Sequence, residues 1–224
     1  VPGTPHPFIH SSSRLSASIV PANGAELRGK EVILHISRRT KPHKNFKNMK
    51  SFLYPEDLGN LQEALKEASE VKKNHYAFEN LGKHRTALLI FFNNSLRTRL
   101  STQKAAMNLG MNVIVLDGNQ GAWKLETERG VIMDGDKSEH LLEAIPVMGS
   151  YCDIIGVRTF AHFDSRQDDY NGNILRQFIK YSGRPVFSME SATVHPLQAF
   201  ADLITIEEYK KTKRPKVVMT WAPH

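Results

Sequence analysis

Four mainly apolar runs alternate with stretches in which apolar residues recur every three or four positions. The runs cover residues 86–90, 111–117, 152–157 and 186–189. Such a run is typical of a strand that is buried on both faces of a parallel sheet. Apolar residues at helical spacing between the runs predict crossover helices. The alternation predicts an α/β fold, a doubly wound and mostly parallel sheet with helices on both faces.

The predicted helices have recognisable starts and stops. Pro55 suits a first helical position, and apolar residues at helical spacing extend that helix to about residue 74. Ser95 is the predicted N-cap of the next helix, and Gly110 is its predicted stop. The apolar residues expected to share one side of it are Leu96, Leu100 and Met107. Further helices are predicted over residues 141–148, 173–181 and 196–211.

The loop between the first apolar run and its helix has an unusual charge. Helix N-termini carry positive partial charge and favour acidic residues. Here Arg97 and Arg99 fall in the first turn, and no acid follows before Asp117. Free backbone N–H groups, the hydroxyls of Ser95 and Thr98 and two guanidinium groups would together form a phosphate seat. The alternative is that both arginines are simply solvated.

Further candidates lie where predicted strands end, which is the edge at which open α/β sheets bind ligands. Arg158 ends the third run, and its alternative role is a salt bridge to Asp164 or Asp168. His195 and Gln198 are three residues apart and share a face of the last predicted helix. The alternative for His195 is a helix cap without a ligand.

Two polar loops complete the candidate set. Trp123 lies in a glycine-bounded loop over residues 118–124, where an indole either covers a ligand or anchors the loop to the core. Residues 134–140 are charged and contain glycine. That composition predicts a mobile loop or a solvated helix start, with Ser138 as a candidate N-cap.

Composition removes several functional classes. The 224-residue chain has a net charge of +7, but residues 1–48 carry eight Lys and Arg against two acidic residues. The remainder is nearly neutral and gives little support to a nucleic-acid-binding face. Cys152 is the single cysteine, which excludes an internal disulfide and fits a reducing compartment. No apolar run approaches the ~20 residues that span a bilayer. No metal-ligand spacing, Walker loop or dinucleotide fingerprint predicts a cofactor.

The motif Ser-x-Arg-Thr-Arg between a strand and a helix, here residues 95–99, resembles the carbamoyl-phosphate loop of the aspartate and ornithine carbamoyltransferases. His195, Pro196 and Gln198 match the His-Pro-x-Gln signature of the same family. Leu96 stands where most members carry threonine. This leucine makes the chain similar to the branch of the family that carbamoylates N-acylated ornithines. The resemblance runs from about residue 49 to the last residue.

The resemblance implies a role for each candidate. The residues that would bind carbamoyl phosphate are Ser95, Leu96 (through its backbone N–H), Arg97, Thr98, Trp123, Arg158, His195 and Gln198. Arg158 and His195 would also be catalytic, because they would polarise the carbonyl group. Glu190 and His224 would contact the acylornithine, and Arg99 would support the loop or another anion contact.

Ser138 would reach the active site of a neighbouring subunit in a homotrimer. Relatives that act on N-succinylornithine carry proline there and relatives that act on N-acetylornithine carry glutamate, so the acyl preference is left open by Ser138.

The same resemblance implies an organisation and an activity. Residues 49–198 would form the carbamoyl-phosphate-binding domain, residues 199–215 a linking helix, and residues 216–224 the first strand of a second α/β domain, at which the chain stops. The enzyme would be cytoplasmic, act in arginine biosynthesis and move a carbamoyl group to the δ-amine of N-succinylornithine or a similar N-acylornithine. It would use no cofactor, and this fragment is expected to be inactive. The alternatives are a non-catalytic phosphate-binding half-enzyme and a transferase that acts on plain ornithine.

Residues 1–48 have the composition of turns and linkers and are expected to be poorly ordered and dispensable. Three explanations compete for them. The first is that they are foreign to the native protein, since Met49 sits where relatives begin. The second is that they are a basic transit peptide, and the third is that they are a basic arm for an acidic partner such as RNA. The first explanation is preferred.

Overall fold

The structure is a computed structural model that describes residues 49–118, 123–161, 163 and 165–218. The predictions for residues 1–48 and for His224 lie outside the described residues. The strands are β1 (Ser51–Phe52), β2 (Thr86–Phe91), β3 (Asn112–Asp117), β4 (Leu125–Glu126), β5 (Glu139–His140), β6 (Ile154–Arg158) and β7 (Val186–Glu190). The helices are α1 (Leu61–Lys73), α2 (Arg97–Asn108), α3 (Leu141–Ser150), α4 (Arg166–Asn171), α5 (Asn173–Tyr181) and α6 (Pro196–Tyr209). A 3₁₀ turn, Pro55–Leu58, precedes α1.

Five strands form one parallel sheet in the order β1-β7-β6-β2-β3. The predicted α/β fold with a parallel sheet is therefore confirmed. From β2 the chain adds β3 on one side and then β6 and β7 on the other, so the winding direction reverses at β2. A crevice opens at the carboxyl ends of the strands where such a reversal occurs. In this chain that crevice lies between β2 and β6.

Both faces of β2 are buried, as its unbroken apolar run predicts. Leu88 and Ile90 belong to a core cluster on one face, which includes Leu141 of α3 and Phe178 of α5. Leu89 and Phe91 belong to a second cluster on the opposite face, together with Met189. The alternation of side chains along a strand produces this division. It fixes the carboxyl end of β2 rigidly between two packed layers.

β3 was predicted to be buried, and that prediction is wrong. Its side chains alternate between half-buried and exposed, with Ile114 38% and Leu116 37% accessible to solvent. β3 ends the sheet, and within the described residues it pairs only with β2. Val113 and Val115 pack on the second cluster, while the other face is left partly uncovered.

The first predicted helix is interrupted. Gly59, at φ +69°, separates the 3₁₀ turn from α1. Asn60 then caps α1, because its Oδ1 accepts hydrogen bonds from the N–H groups of Gln62 and Glu63. A single helix from Pro55 is therefore wrong. Sequence periodicity could not show the break, since apolar spacing continues across it.

The later helices differ from prediction mainly at their ends. α5 has the predicted bounds, while α6 ends at Tyr209, two residues early. The short helix α4, capped by Ser165, was not predicted. Residues 216–218 are not in a strand, and the rest of the strand predicted there lies outside the described residues. No helix in the described part of the chain is long and apolar enough to cross a membrane.

Candidate functional site

The candidate site lies at the carboxyl ends of β2, β6 and β7. We call residues 92–96, which connect β2 to α2, the site loop. The backbone N–H of Phe92 donates to the carbonyl of Arg158 at 2.9 Å, so the site loop leaves the sheet attached to β6. The first turn of α6 comes to the same edge from β7. The sheet thus brings together three segments that are far apart in sequence.

The start of α2 offers unpaired backbone donors. Its first helical residue is Arg97, and the N-cap is Leu96 in place of the predicted Ser95. Among the described residues no side chain caps this turn, and its sequence contains no acid. The N–H groups of a first helical turn have no acceptor inside the helix. Leu96 and Arg97 are exposed and Thr98 is half-buried, so the predicted phosphate seat, residues 95–98, is open to a ligand.

The C-terminal end of α2 is as predicted, but one side of the helix is not packed. Gly110 adopts φ +81° and its N–H bonds to the carbonyl of Met107, while the N–H of Met111 bonds to that of Ala106. This pair of bonds is a Schellman stop. The three apolar residues expected to share one side of the helix are exposed to solvent: Leu96 by 71%, Leu100 by 60% and Met107 by 55%.

Arg99 is not available to an anion. Its guanidinium forms an ion pair with Asp117, at the end of β3, and lies over the ring of Phe91 at 4.5 Å from the centroid. The prediction of two guanidinium groups at the phosphate seat is therefore wrong. Arg97 remains as the arginine of the seat, and Arg99 joins α2 to β3. The helix contains no acidic residue of its own near Arg99, and Asp117 at the end of β3 provides the carboxylate instead.

Arg158 is buried, and its guanidinium joins the site loop to β7. Nη1 donates to the carbonyls of Asn93 at 3.1 Å and Asn94 at 2.7 Å. Nη2 lies 3.0 Å from Oε2 of Glu190. The guanidinium also stacks over Phe160, 4.1 Å from the ring centroid. Its acidic partner is thus Glu190, whereas Asp168 was the alternative by sequence and Asp164 lies outside the described residues.

His195 caps α6 and faces Glu190. Its Nδ1 accepts a hydrogen bond from the N–H of Gln198 at 3.2 Å, which leaves the proton of the neutral ring on Nε2. Nε2 lies 3.9 Å from Oε2 of Glu190. The side-chain Nε2 of Gln198 donates to Asp202 at 2.9 Å, one turn along the helix. His195 and Gln198 are therefore brought together as predicted. His195 caps the helix through Nδ1, and this leaves Nε2 available for a ligand.

Trp123 and Ser138 lie just before β4 and β5, respectively, which form a separate small sheet. The indole Nε1 donates to Glu139 at 2.9 Å, and the ring is 64% exposed. The N–H of Ser138 donates to the carbonyl of Lys124. α3 is capped by His140, whose Nδ1 accepts from Leu142, so the prediction of Ser138 as the N-cap is wrong.

The loop before Ser138 is held by a charge pair. Nζ of Lys124 lies 2.6 Å from Oδ2 of Asp136. The hydrogen bond and positive charge of Lys124 hold the pKa of Asp136 below its ordinary value. Trp123 lines a cavity of about 540 Å³ between the end of β3 and α3, and none of residues 95–98 lines it. The structure of one chain therefore does not bring Trp123 to the phosphate seat.

Sequence reasoning missed Asn93 and Phe160. Oδ1 of Asn93 accepts a 2.6 Å hydrogen bond from the N–H of Phe160, just after β6. An asparagine placed between an apolar strand and the phosphate seat was the available signal. No group of three His, Cys, Asp or Glu side chains within the described ranges could hold a metal ion.

Comparison with known proteins agrees with this geometry. A family model described as the aspartate/ornithine carbamoyltransferase carbamoyl-P binding domain matches residues 50–208. The chain is 74% identical over 176 residues to an N-succinylornithine carbamoyltransferase of Bacteroides fragilis, covering 79% of this chain and 55% of the relative. It is 38% identical over 182 residues to an N-acetylornithine carbamoyltransferase of Xanthomonas campestris pv. campestris, covering 79% of this chain and 53% of the relative.

Solved structures show the same fold. An N-acetyl-L-ornithine transcarbamylase variant complexed with carbamyl phosphate and N-succinyl-L-norvaline is 37% identical, with a TM-score of 0.66 over 72% of this chain and 48% of that one. An acetylornithine transcarbamylase complexed with acetylcitrulline is 38% identical, with a TM-score of 0.65 over the same shares. The chain spans about half the length of the relatives it matches. The match to residues 50–208 and the parallel sheet with its site loop together show that this chain belongs to the aspartate/ornithine carbamoyltransferase family.

Proposed function

We propose that the protein transfers the carbamoyl group of carbamoyl phosphate to the δ-amine of N-succinylornithine, a step of arginine biosynthesis, and releases phosphate. The single observation that carries the proposal is the uncapped, acid-free start of α2 beside Arg158 and His195. The 74% identity to an N-succinylornithine carbamoyltransferase supports the acceptor. The whole enzyme would be a cytoplasmic homotrimer.

The phosphate would bind at residues 95–98. Backbone N–H groups at a helix start and the positive end of the helix dipole favour an anion. The hydroxyls of Ser95 and Thr98 would add hydrogen bonds, and the N–H of Leu96 would contribute as a backbone donor. Arg97, exposed at the first helical position, would add a charge-assisted hydrogen bond.

The carbamoyl group would lie between Arg158 and His195. The attacking δ-amine forms a C–N bond to the carbonyl carbon, and the carbonyl oxygen becomes an oxyanion. The oxyanion then collapses as the carbon–oxygen bond to the phosphate breaks; the phosphate leaves with the electron pair and takes up the proton that the attacking amine loses. The Nε2 proton of His195 and a free N–H of Arg158 would donate to the oxyanion, which is where such donors accelerate acyl transfer. The carbonyl oxygen of Gln198 would accept from the carbamoyl amine while its Nε2 stays bonded to Asp202.

The acylornithine would bind at the open side of this site. Glu190 and His224 would contact it, and Trp123 and Ser138 would approach from a neighbouring subunit. That placement is consistent with the exposed Trp123 ring and with its distance in the fold from the residues that line the phosphate seat. A solved relative holds N-succinyl-L-norvaline together with carbamyl phosphate. We further propose the division of the chain into a carbamoyl-phosphate domain at 49–198, a linking segment at 199–215 and the start of a second domain at 216–224.

Phosphate binding is tested separately from transfer, because the matched part of this chain covers only 55% of the N-succinylornithine carbamoyltransferase relative. Calorimetry with carbamoyl phosphate compares the chain with Arg97→Ala. Loss of a charge-assisted hydrogen bond worth about 1.5–3 kcal/mol predicts roughly 10- to 150-fold weaker binding. The matched control is Lys104→Ala, which removes a cation on the same helix whose ammonium lies over Tyr76. Unchanged affinity in Arg97→Ala would contradict the site.

Transfer is tested by following formation of the citrulline derivative from three acceptors, N-succinylornithine, N-acetylornithine and ornithine. The proposal predicts the highest kcat/KM with N-succinylornithine. A preference for plain ornithine would assign the chain to the other branch of the family. Carbamoyl-phosphate binding without transfer to any acceptor, in a protein as long as the relatives, would favour a binding role.

A further inference from the structure

The ladder between β6 and β7 contains an irregularity beside the candidate site. Ile155 lies opposite Val186 and Val157 opposite Ser188, but the next partner of Arg158 is Glu190. Met189 is therefore an extra residue on β7. In a regular ladder Arg158 would lie opposite Met189, and the carboxylate of Glu190 would point to the other face of the sheet. A bulge re-aims one side chain, and bulges are over-represented next to active sites.

The bulge leaves the packing of the core intact. Met189 is fully buried in the second core cluster with Leu89 and Phe91, so the alternation of β7 is kept up to that residue. Only Glu190 is turned. Its carboxylate now lies between two site groups, with Oε2 3.0 Å from Nη2 of Arg158 and 3.9 Å from Nε2 of His195.

Glu190 is connected to the site loop through one rigid group. The guanidinium of Arg158 is planar, so fixing Nη2 on Glu190 also fixes the direction of Nη1. Nη1 holds the carbonyls of Asn93 and Asn94, the two residues immediately before the phosphate seat. The side chain of Arg158 is only 8% exposed, so water cannot readily replace these contacts. The carboxylate of Glu190, on the opposite side of the crevice, therefore restrains through Arg158 the two residues that precede the phosphate seat.

We infer that Glu190 is a positioning residue for the phosphate half of the site, an inference that rests on the proposed function. It acts through Arg158, whose orientation it sets, and thereby holds the site loop in the conformation that presents residues 95–98 to the phosphate. This role is distinct from a contact with the acylornithine. It is exerted before any acylornithine binds.

The test measures carbamoyl-phosphate and inorganic phosphate binding to the whole chain by calorimetry, with no acylornithine present. Glu190→Gln keeps the shape of the side chain and removes the charge that holds Arg158. It is expected to weaken phosphate binding about tenfold, since the ion pair with Arg158 is replaced by a weaker hydrogen bond from the guanidinium to a neutral amide. The matched control is Glu208→Gln, which neutralises a carboxylate that pairs with Lys72 between α6 and α1 and should leave affinity unchanged.

A double-mutant cycle shows whether Glu190 acts through Arg158. In an Arg158→Gln background, adding Glu190→Gln is expected to cause less than about a twofold further loss, because the coupled pair is already broken. An equal loss in both backgrounds would overturn the inference. A merely structural effect would lower stability in both backgrounds without this dependence on Arg158.

A second variant guards against misfolding. If Glu190→Gln fails to fold, Glu190→Asp retains the charge beside buried Arg158 but shortens the side chain by one methylene. It should weaken phosphate binding, and affinity equal to that of the original chain would overturn the inference. Normal phosphate binding by a folded Glu190→Gln variant would overturn it as well, and would leave Glu190 as an acylornithine contact alone. Failure of the unsubstituted chain to bind either ligand would instead contradict the proposed function.

Discussion

Replacing Asn93 by alanine is expected to loosen the site loop. Oδ1 of Asn93 accepts the 2.6 Å hydrogen bond from the part-buried N–H of Phe160. Asn93→Ala leaves that donor without its acceptor, which costs about 1–2 kcal/mol in the free energy of unfolding. Phosphate must then reorder the loop as it binds. If the same free energy is lost from binding, the affinity falls by about 5- to 30-fold.

Two measurements test this expectation, urea unfolding and calorimetric titration with inorganic phosphate. The unfolding midpoint should fall with an unchanged m value. The control is Asn74→Ala, which removes an equivalent hydrogen bond at an exposed position, the one that the N–H of Tyr76 donates to Oδ1 of Asn74. It should leave phosphate affinity unchanged. Equal effects of the two substitutions on affinity, or a stability loss in Asn93→Ala without any loss of affinity, would refute the role assigned to this contact.

Three further expectations concern other described residues. Lys124 holds the pKa of Asp136 below its ordinary value, so the ion pair stabilises the loop above that ordinary value and the contribution is lost as the pH falls through the lowered pKa. In Lys124→Met, carbon-13 NMR should show a higher pKa for Asp136 than in the original chain, and an unchanged pKa would contradict the role of Lys124. Burial raises the pKa of the Cys152 thiol, so iodoacetamide should label it at neutral pH only after unfolding, and rapid labelling of the native chain would contradict its buried position. Gly110→Ala should lower the free energy of unfolding by ~1–3 kcal/mol in urea unfolding, because φ is +81° and the added Cβ would lie 2.1 Å from the carbonyl oxygen of Glu79. An unchanged unfolding midpoint would show that the turn relaxes.

Local patterns predicted the unit of strand, loop and helix that carries the site. The apolar run of β2, the polar loop and the glycine stop of α2 are all encoded within a short stretch, and the structure retains each of them. The histidine at the start of α6 was equally local, since Pro196 marks the first helical position. The start of α2 was misplaced by one residue, which is the usual precision of such boundaries.

Apart from the local errors at Gly59 and Ser138, the errors concern relations between segments. The run of β3 resembles that of β2, and its own composition cannot say that it lies at the edge of the sheet. The partner of Arg99 is Asp117, at the end of the adjacent strand, so the pair depends on sheet order. The pairing of Arg158 with Glu190 depends on a bulge, which shifts register by one residue without a mark in the apolar pattern. These three features were therefore unpredictable because each depends on how two segments meet.

The site loop also has a consequence for the order in which the chain folds. Arg158 reaches the loop from 65 residues further along the chain, and Glu190 follows later still. Contacts between such distant segments form slowly, because a long loop must close before they stabilise anything. A nascent or partly folded chain that lacks these contacts would thus lack an organised phosphate seat. A phosphate ligand is expected to recognise only the completed sheet, and its binding free energy would add to the stability of the folded domain by mass action. The same site would therefore report, through ligand-dependent thermal stabilisation, whether the whole sheet has been assembled.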